Sequence, residues 1–200
     1  ADPEVEFAVP NGRQRIVNVP APPNDPLYFS GPPVDLGALT GGPASGQWYL
    51  RAPTAAAVGA PGDIVSAIDI ESAWARTLGR PAVVVAVLDT GVRFEHPDLR
   101  RTGDGGSLLP GYDFVSDATV ANDGNGRDGD SSDPGDWVSE AESGRGDFFD
   151  CEASPSSWHG TGTASLIGAA TNNGEGMAGS APGVRVLPVR VLGKCYGTDA

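Results

Sequence analysis

The chain has 200 residues, room for one domain or one domain with a short appendage. Thirteen Lys and Arg stand against 26 Asp and Glu, a net charge of −13, which argues against a nucleic-acid binder because such a protein needs a basic face to displace phosphate counterions. Hydrophobic residues make up 39%, enough for a core, and no stretch approaches the ~20 apolar residues that span a bilayer, while 29 Gly and 18 Pro mark a loop-rich chain.

The chain opens Ala1-Asp2-Pro3-Glu4, with neither the basic nor the apolar region of a signal peptide. Either a leader has been removed or the native start lies elsewhere. Val5-Glu6-Phe7-Ala8-Val9 and Arg15-Ile16-Val17-Asn18-Val19 alternate with period two and predict strands. Residues 20–46 are rich in Pro, Gly and Ala and read as extended loop. Gln47-Trp48-Tyr49-Leu50 is the dense apolar patch of the mixed stretch that follows.

Asp69–Leu78 places Ile70, Ala73, Trp74, Thr77 and Leu78 on one helical face, with Asp69 as cap and Gly79 as stop. Val83-Val84-Val85-Ala86-Val87-Leu88 is a continuous β-branched run that predicts a strand buried on both faces. Residues 100–158 are polar and Gly/Asp-rich and read as a long loop. Thr161–Ala170 predicts a helix of small residues able to lie close against a sheet. Val184-Arg185-Val186-Leu187 and Val189-Arg190-Val191-Leu192 predict strand, with Pro188 marking a bulge or an edge. Helix, buried strand, loop, helix and strand together indicate an α/β fold, a parallel β-sheet flanked by helices.

Two side chains stand where chemistry is expected. Asp89 directly follows the buried strand, and sites in open parallel sheets form at the carboxyl ends of strands. A carboxylate there can orient a histidine. His159 lies at a predicted helix start, where the helix dipole favours the neutral imidazole that a general base requires. Taken singly, Asp89 also reads as a turn cap and His159 as a structural histidine. Both are framed by glycines that allow close backbone approach, and together they read as a pair.

The stretch Val87-Leu88-Asp89-Thr90-Gly91-Val92, with His96-Pro97-Asp98-Leu99 following, resembles the aspartate box of the subtilisin-like serine proteases, the subtilases. His159-Gly160-Thr161-Gly162-Thr163-Ala164 resembles their histidine box. Met177-Ala178-Gly179-Ser180-Ala181-Pro182, then Val189-Arg190-Val191-Leu192, resembles the segment after it. The order, aspartate before histidine, is that of the family's Asp-His-Ser triad, and the likeness extends over residues 24–200. It implies hydrolysis of peptide bonds in protein or peptide substrates, with His159 moving the proton and Asp89 holding the imidazole tautomer. Gly162 stands where the family usually has a second histidine, and Ser165 where it usually has glycine. Neither position carries the proton transfer. The family's Gly-Thr-Ser-Met-Ala-Pro box and oxyanion-hole asparagine do not occur in these residues, and Gly197-Thr198-Asp199-Ala200 resembles the approach to a further helix. The expectation is an incomplete subtilisin-like domain, inactive without its nucleophile.

The resemblance implies further features. Residues 1–23 resemble the C-terminal end of an inhibitory propeptide and 24–200 the N-terminal part of the catalytic domain, with maturation expected between residues 18 and 24. A Ca²⁺ ion is implied, held by Asp25, Asp98 and Asn173 through side chains and by Ala170, Glu175 and Met177 through carbonyls, the hard oxygen donors this ion needs. The acidic run from Asp123 to Asp136 fails the EF-hand pattern at Arg127, and reads either as a second calcium site or as a solvated loop. If the sheet brings Cys151 and Cys195 together, a disulfide staples the loop before His159. Two Cys and two His in the whole chain argue against a zinc site. Tyr196 lies where the family lines its substrate groove, and His96 reads as structural. The expected setting is extracellular, with the protein's own propeptide as a partner and no membrane or nucleic acid. The alternative reading is a non-catalytic, calcium-binding interaction domain on the same scaffold, or a piece that pairs with a separate serine-bearing fragment. A Gly-Thr-Ser box downstream separates these from the enzyme.

Overall fold

The computed structural model describes residues 21–29, 46–53 and 67–195. The strands expected within residues 1–19, and Tyr196, lie outside them. Three strands form one parallel sheet in the order β1 (Val84–Asp89), β3 (Arg185–Arg190), β2 (Tyr112–Asp113). Among the described residues four α-helices accompany them: α1 (Pro26–Phe29), α2 (Ile70–Trp74), α3 (Ala118–Ala121) and α4 (His159–Gly168). The register pairs Val84 with Arg185 and ends by pairing Asp89 with Arg190, so two charged residues sit side by side at the carboxyl end of the sheet.

The main core lies between this sheet and α4, where Val87, Val92, Leu99, Leu108, Ala164 and Val186 are buried together. Leu99 and Leu108 are fully covered, and truncating such a leucine to Ala costs about 2–5 kcal/mol. A second cluster joins Tyr28, Leu50, Trp74 and Ala178. Gln47 binds it to the loop after α4: its side-chain amide donates to the Ala178 carbonyl (2.8 Å) and accepts from the Ala178 N–H (2.7 Å).

Three expectations change. The helix predicted over 69–78 stops at Trp74, and Asp69 takes a left-handed φ of 53° with no capping bond. Ile70 and Trp74 meet the second cluster within one turn, and Trp74 Nε1 donates to the Ser180 carbonyl (2.9 Å). Beyond it the Leu78 carbonyl accepts from Gly183 N–H (2.8 Å) instead of continuing a helix, and the Leu78 side chain is exposed. The strand β1 is buried on one face only: Val87 and Asp89 are covered, while Val84 and Leu88 are 50% and 63% exposed. Among the described residues, α4 covers one side of the sheet and leaves the other to solvent. Finally, Pro188 sits in the central strand, not at an edge. It falls between the Leu108–Val186 bridge and the Tyr112–Val189 pair, so four steps along one strand oppose three on the other. The expected bulge is therefore present, and it falls where proline has no N–H to donate.

Candidate active site

Strand β1 delivers Asp89 to the carboxyl end of the sheet, and α4 begins with His159 directly opposite. The close approach depends on glycine: a Cβ on Gly160 would collide with the Gly91 carbonyl, and Gly91 itself has φ +95°. Two segments 70 residues apart thus meet backbone to backbone. His159 Nδ1 lies 2.7 Å from Asp89 Oδ2. The acid is dry and the imidazole wet, with side chains 7% and 69% exposed. A carboxylate without a proton only accepts, so in this contact a neutral imidazole would carry its proton on Nδ1 and keep the lone pair on Nε2.

Other donors fix the carboxylate. Asp89 Oδ1 accepts from Thr90 N–H (2.7 Å), and Oδ2 accepts from the Thr163 hydroxyl (3.1 Å). The Thr90 hydroxyl accepts from Gly160 N–H (3.1 Å) and donates to Asp133 (2.7 Å), tying the first turn of α4 to the end of β1. Asp133 in turn accepts from Gly135 N–H (2.8 Å); burial pushes its carboxyl above the usual range despite these bonds. The helix cap is assembled from neighbours, because Trp158 occupies the cap position with a left-handed φ of 52°. Ser157 Oγ accepts from His159 N–H (3.2 Å), and Asp136 holds Ser157 by its N–H (2.6 Å) and hydroxyl (2.7 Å). The Arg93 guanidinium stacks 4.5 Å from the Trp158 ring centre.

His159 opens onto a cleft of about 390 Å³ whose lining includes Thr90, Asp136, Ser157, Leu192 and Gly193. An imidazole with Nε2 free at such a cleft and Nδ1 held by a buried carboxylate can take a proton from a hydroxyl and return it.

Arg190 ties the acidic loop to this corner. Fully buried, it donates from Nε to the Thr90 carbonyl (3.2 Å), from Nη1 to Asp113 and Asp123 (2.9 Å to the latter), and from Nη2 to the Ala121 carbonyl. Burial still holds the Asp113 carboxyl above its ordinary value, against the pull of the Val115 N–H and of Arg190. The loop acids largely fold their own backbone. Asp113, Asp117, Asp123, Asp128, Asp130 and Asp133 each accept from the N–H two residues on, the Asx-turn pattern. Among the described residues no group of three or more His, Cys, Asp or Glu side chains is placed to hold a metal.

Cys151 and Cys195 form a disulfide, with Cα atoms 5.9 Å apart. Beside it Lys194 Nζ lies 2.5 Å from Glu142, and the Lys194 and Ser139 hydrogen bonds hold the Glu142 carboxyl down to about 2.

Of the residues expected to bind calcium, Asp25 and Asp98, from two separate segments, both bond to the loop after α4. Asp25 and Asp98 are both about 1% exposed. Asp25 accepts from Asn172 N–H (2.9 Å) and Asn173 N–H (3.2 Å). Asp98 accepts from Met177 N–H (2.8 Å) and Asn173 Nδ2 (2.9 Å), and burial pushes its carboxyl up, with a smaller push from the Asp25 charge. Ala170 N–H donates to the Asp98 carbonyl (2.9 Å), and Asn173 Oδ1 accepts from Glu175 N–H (2.9 Å). Neither acid has an ion pair among the described residues. Two buried carboxylates without a cationic partner suit a hard divalent cation.

Asp89, His159 and the two cysteines are thus brought together as pairs. Thr90, Thr163 and Arg190 were given no role from sequence, and Asp133 was read only as part of the acidic run. The spacing of Thr163, one helical turn after His159, carried a signal; the others are brought in by the sheet.

The model of the subtilase family matches residues 80–200. An extracellular protease of Xanthomonas campestris pv. campestris is 49% identical over 131 residues, 66% of this chain and 21% of that protein. An extracellular basic protease of Dichelobacter nodosus is 37% identical over 208 aligned positions, 100% of this chain and 27% of that protein. A solved structure of a protease from Pseudoalteromonas arctica superposes with a TM-score of 0.62 at 40% identity, over 89% of this chain and 41% of that one. The chain thus spans about a quarter of the length of the curated relatives it matches.

Proposed function

The chain belongs to the subtilase family, and on that premise we propose that it supplies the aspartate and the histidine of a secreted serine endopeptidase's triad. The observation that carries this reading is the 2.7 Å contact between His159 Nδ1 and buried Asp89. In the reaction, a serine hydroxyl from sequence beyond these 200 residues attacks the substrate carbonyl carbon. His159 Nε2 takes the hydroxyl proton and passes it to the leaving amine. Asp89 keeps the proton on Nδ1 and stabilises the imidazolium that forms in between. Water then repeats the sequence on the acyl-enzyme. The cleft beside His159 receives the substrate; the part that the family resemblance gives Tyr196 in substrate binding belongs to the same reading.

On the same reading residues 1–23 are the end of an inhibitory propeptide and the catalytic domain begins at residue 24. The supporting contacts are those of Asn24 N–H with Asn172 (3.2 Å), of Asp25 with the same loop, and of Leu27 N–H with the Gly176 carbonyl (2.9 Å). Calcium belongs at this junction. Asp25 and Asp98 would hold it with Asn173 and the carbonyls of Ala170, Glu175 and Met177, neutralising two buried charges and pinning the mature start. Chelation then lowers the melting temperature and added Ca²⁺ restores it, because the ion binds the folded form; an unchanged melting temperature removes the ion from the account.

The reading is tested in the full-length protein with a serine-directed phosphonate probe. Labelling is expected at one serine downstream of this chain, and His159→Ala should abolish it. Labelling that survives the substitution, or no labelled serine at all, contradicts the reading and favours a binding domain.

A further inference from the structure

We propose that Thr163 is a positioning residue for the Asp89–His159 pair, its hydroxyl setting how much negative charge Asp89 presents to the imidazole. This deepens the catalytic reading and rests on it only for its meaning in turnover.

Thr163 lies four residues after His159 on α4, so both side chains stand on one helix face. Its Oγ1 is 3.0 Å from the His159 carbonyl, 3.1 Å from Asp89 Oδ2 and 3.5 Å from His159 Nδ1. A hydroxyl has one proton to give. The carbonyl is the routine acceptor for a threonine within a helix. Asp89 is a buried carboxylate, and bonds to a charged acceptor are roughly twice as strong. Asp89 Oδ2 therefore shares itself between Nδ1–H and the hydroxyl, and its hold on an imidazolium is correspondingly weakened. The other hydroxyls of α4 are engaged elsewhere: Thr161 accepts from Arg93 N–H (3.0 Å) and Ser165 donates to the Thr161 carbonyl (2.8 Å).

Among the described residues, the charged groups around His159 are Asp89 on β1, Asp136 behind Ser157, Asp133 and Arg190 behind Thr90, and Arg93 over Trp158. All remain in a Thr163 variant, so a change in His159 titration reports the hydroxyl. His96, the other histidine of the chain, is an internal reference.

The experiment is an NMR pH titration of the ring resonances in the full chain. Thr163→Val keeps the shape and removes the donor, and the His159 midpoint should move up by roughly half a unit while His96 stays put. Thr163→Ser should restore the original midpoint. In an Asp89→Asn background, Thr163→Val should move nothing. An unchanged midpoint in Thr163→Val, or an equal shift without the Asp89 carboxylate, overturns the proposal. Thr163→Ala, a better helix former, gives the same reading if the valine variant misfolds. No step depends on a downstream serine, so failure of the protease reading and failure of this one are distinguishable.

Discussion

The corner where β1 meets α4 and the loop from Gly111 to Trp158 lie side by side but are held by opposite means. The corner is built from regular structure: six paired residues of β1 and β3, a helix of small residues, and a glycine contact close enough that no side chain fits. The loop has a two-residue strand, a four-residue helix and a small cluster of Val138, Phe148 and Cys151, and relies besides on aspartates bonded to their own backbone, one buried arginine and one disulfide. The difference separates chemistry from support. Changes in the corner should act on proton transfer, and changes in the loop on stability.

The largest effect is expected at Asp89. Asp89→Asn leaves the shape but favours the wrong imidazole tautomer, and turnover of the full-length protease should fall about 10⁴-fold, as measured in steady-state assays. An unfolding midpoint close to that of the unaltered protein should accompany it. If stability falls in step with activity, the division of labour is wrong.

Arg190 is the converse. Arg190→Met leaves Asp113 buried without its cation, and breaking such a pair costs about 3–5 kcal/mol, read from urea unfolding. Asp113→Asn in the same background should recover part of the loss by removing the stranded charge; no recovery would mean that packing, not charge, explains the cost.

Reducing Cys151–Cys195 releases a loop with 44 residues of sequence separation, which chain entropy rates at about 4 kcal/mol. Hydrogen exchange should then rise first around Val138–Cys151 and last in α4. Simultaneous opening of both would erase the distinction between the regions.

The division between regions also decides what could be read from the chain alone. Asp89 and His159 were legible because each sits where a regular element ends, and periodicity locates such ends. Small residues in α4 announced a close approach to the sheet. Pro188 misled in part: proline marks a broken ladder, yet the break can fall on one neighbour while the strand stays central. The run Val83–Leu88 announced burial but not that only one face is covered among the described residues. Trp74 ended its helix through a contact with Ser180, 106 positions away, which no local pattern encodes. Arg190 looked like half of a strand alternation, and its partners come from three segments brought in by tertiary folding. The acidic run invited a cation because like charges repel; that Asp123, Asp128, Asp130 and Asp133 also meet backbone N–H groups two residues on was not legible from charge alone.

A smaller effect sharpens the boundary itself, where Asp133 supports Thr90. Burial raises the Asp133 carboxyl above its ordinary 3.8, so the folded state holds that proton more tightly than the unfolded chain. Its contribution to stability is therefore greatest at acid pH and declines as pH rises from the unfolded value through the folded one. Asp133→Asn should flatten that part of the profile in urea titrations at graded pH. A decline of the same steepness in the variant would assign it to other groups.

The most direct measurement is the ring ¹⁵N spectrum of His159 at a pH where the imidazole is neutral, with and without Asp89→Asn. The account predicts a proton on Nδ1 and a bare Nε2 in the unaltered chain, and loss of that preference in the variant. A proton on Nε2 in the unaltered chain, or a spectrum indifferent to Asp89, would contradict it.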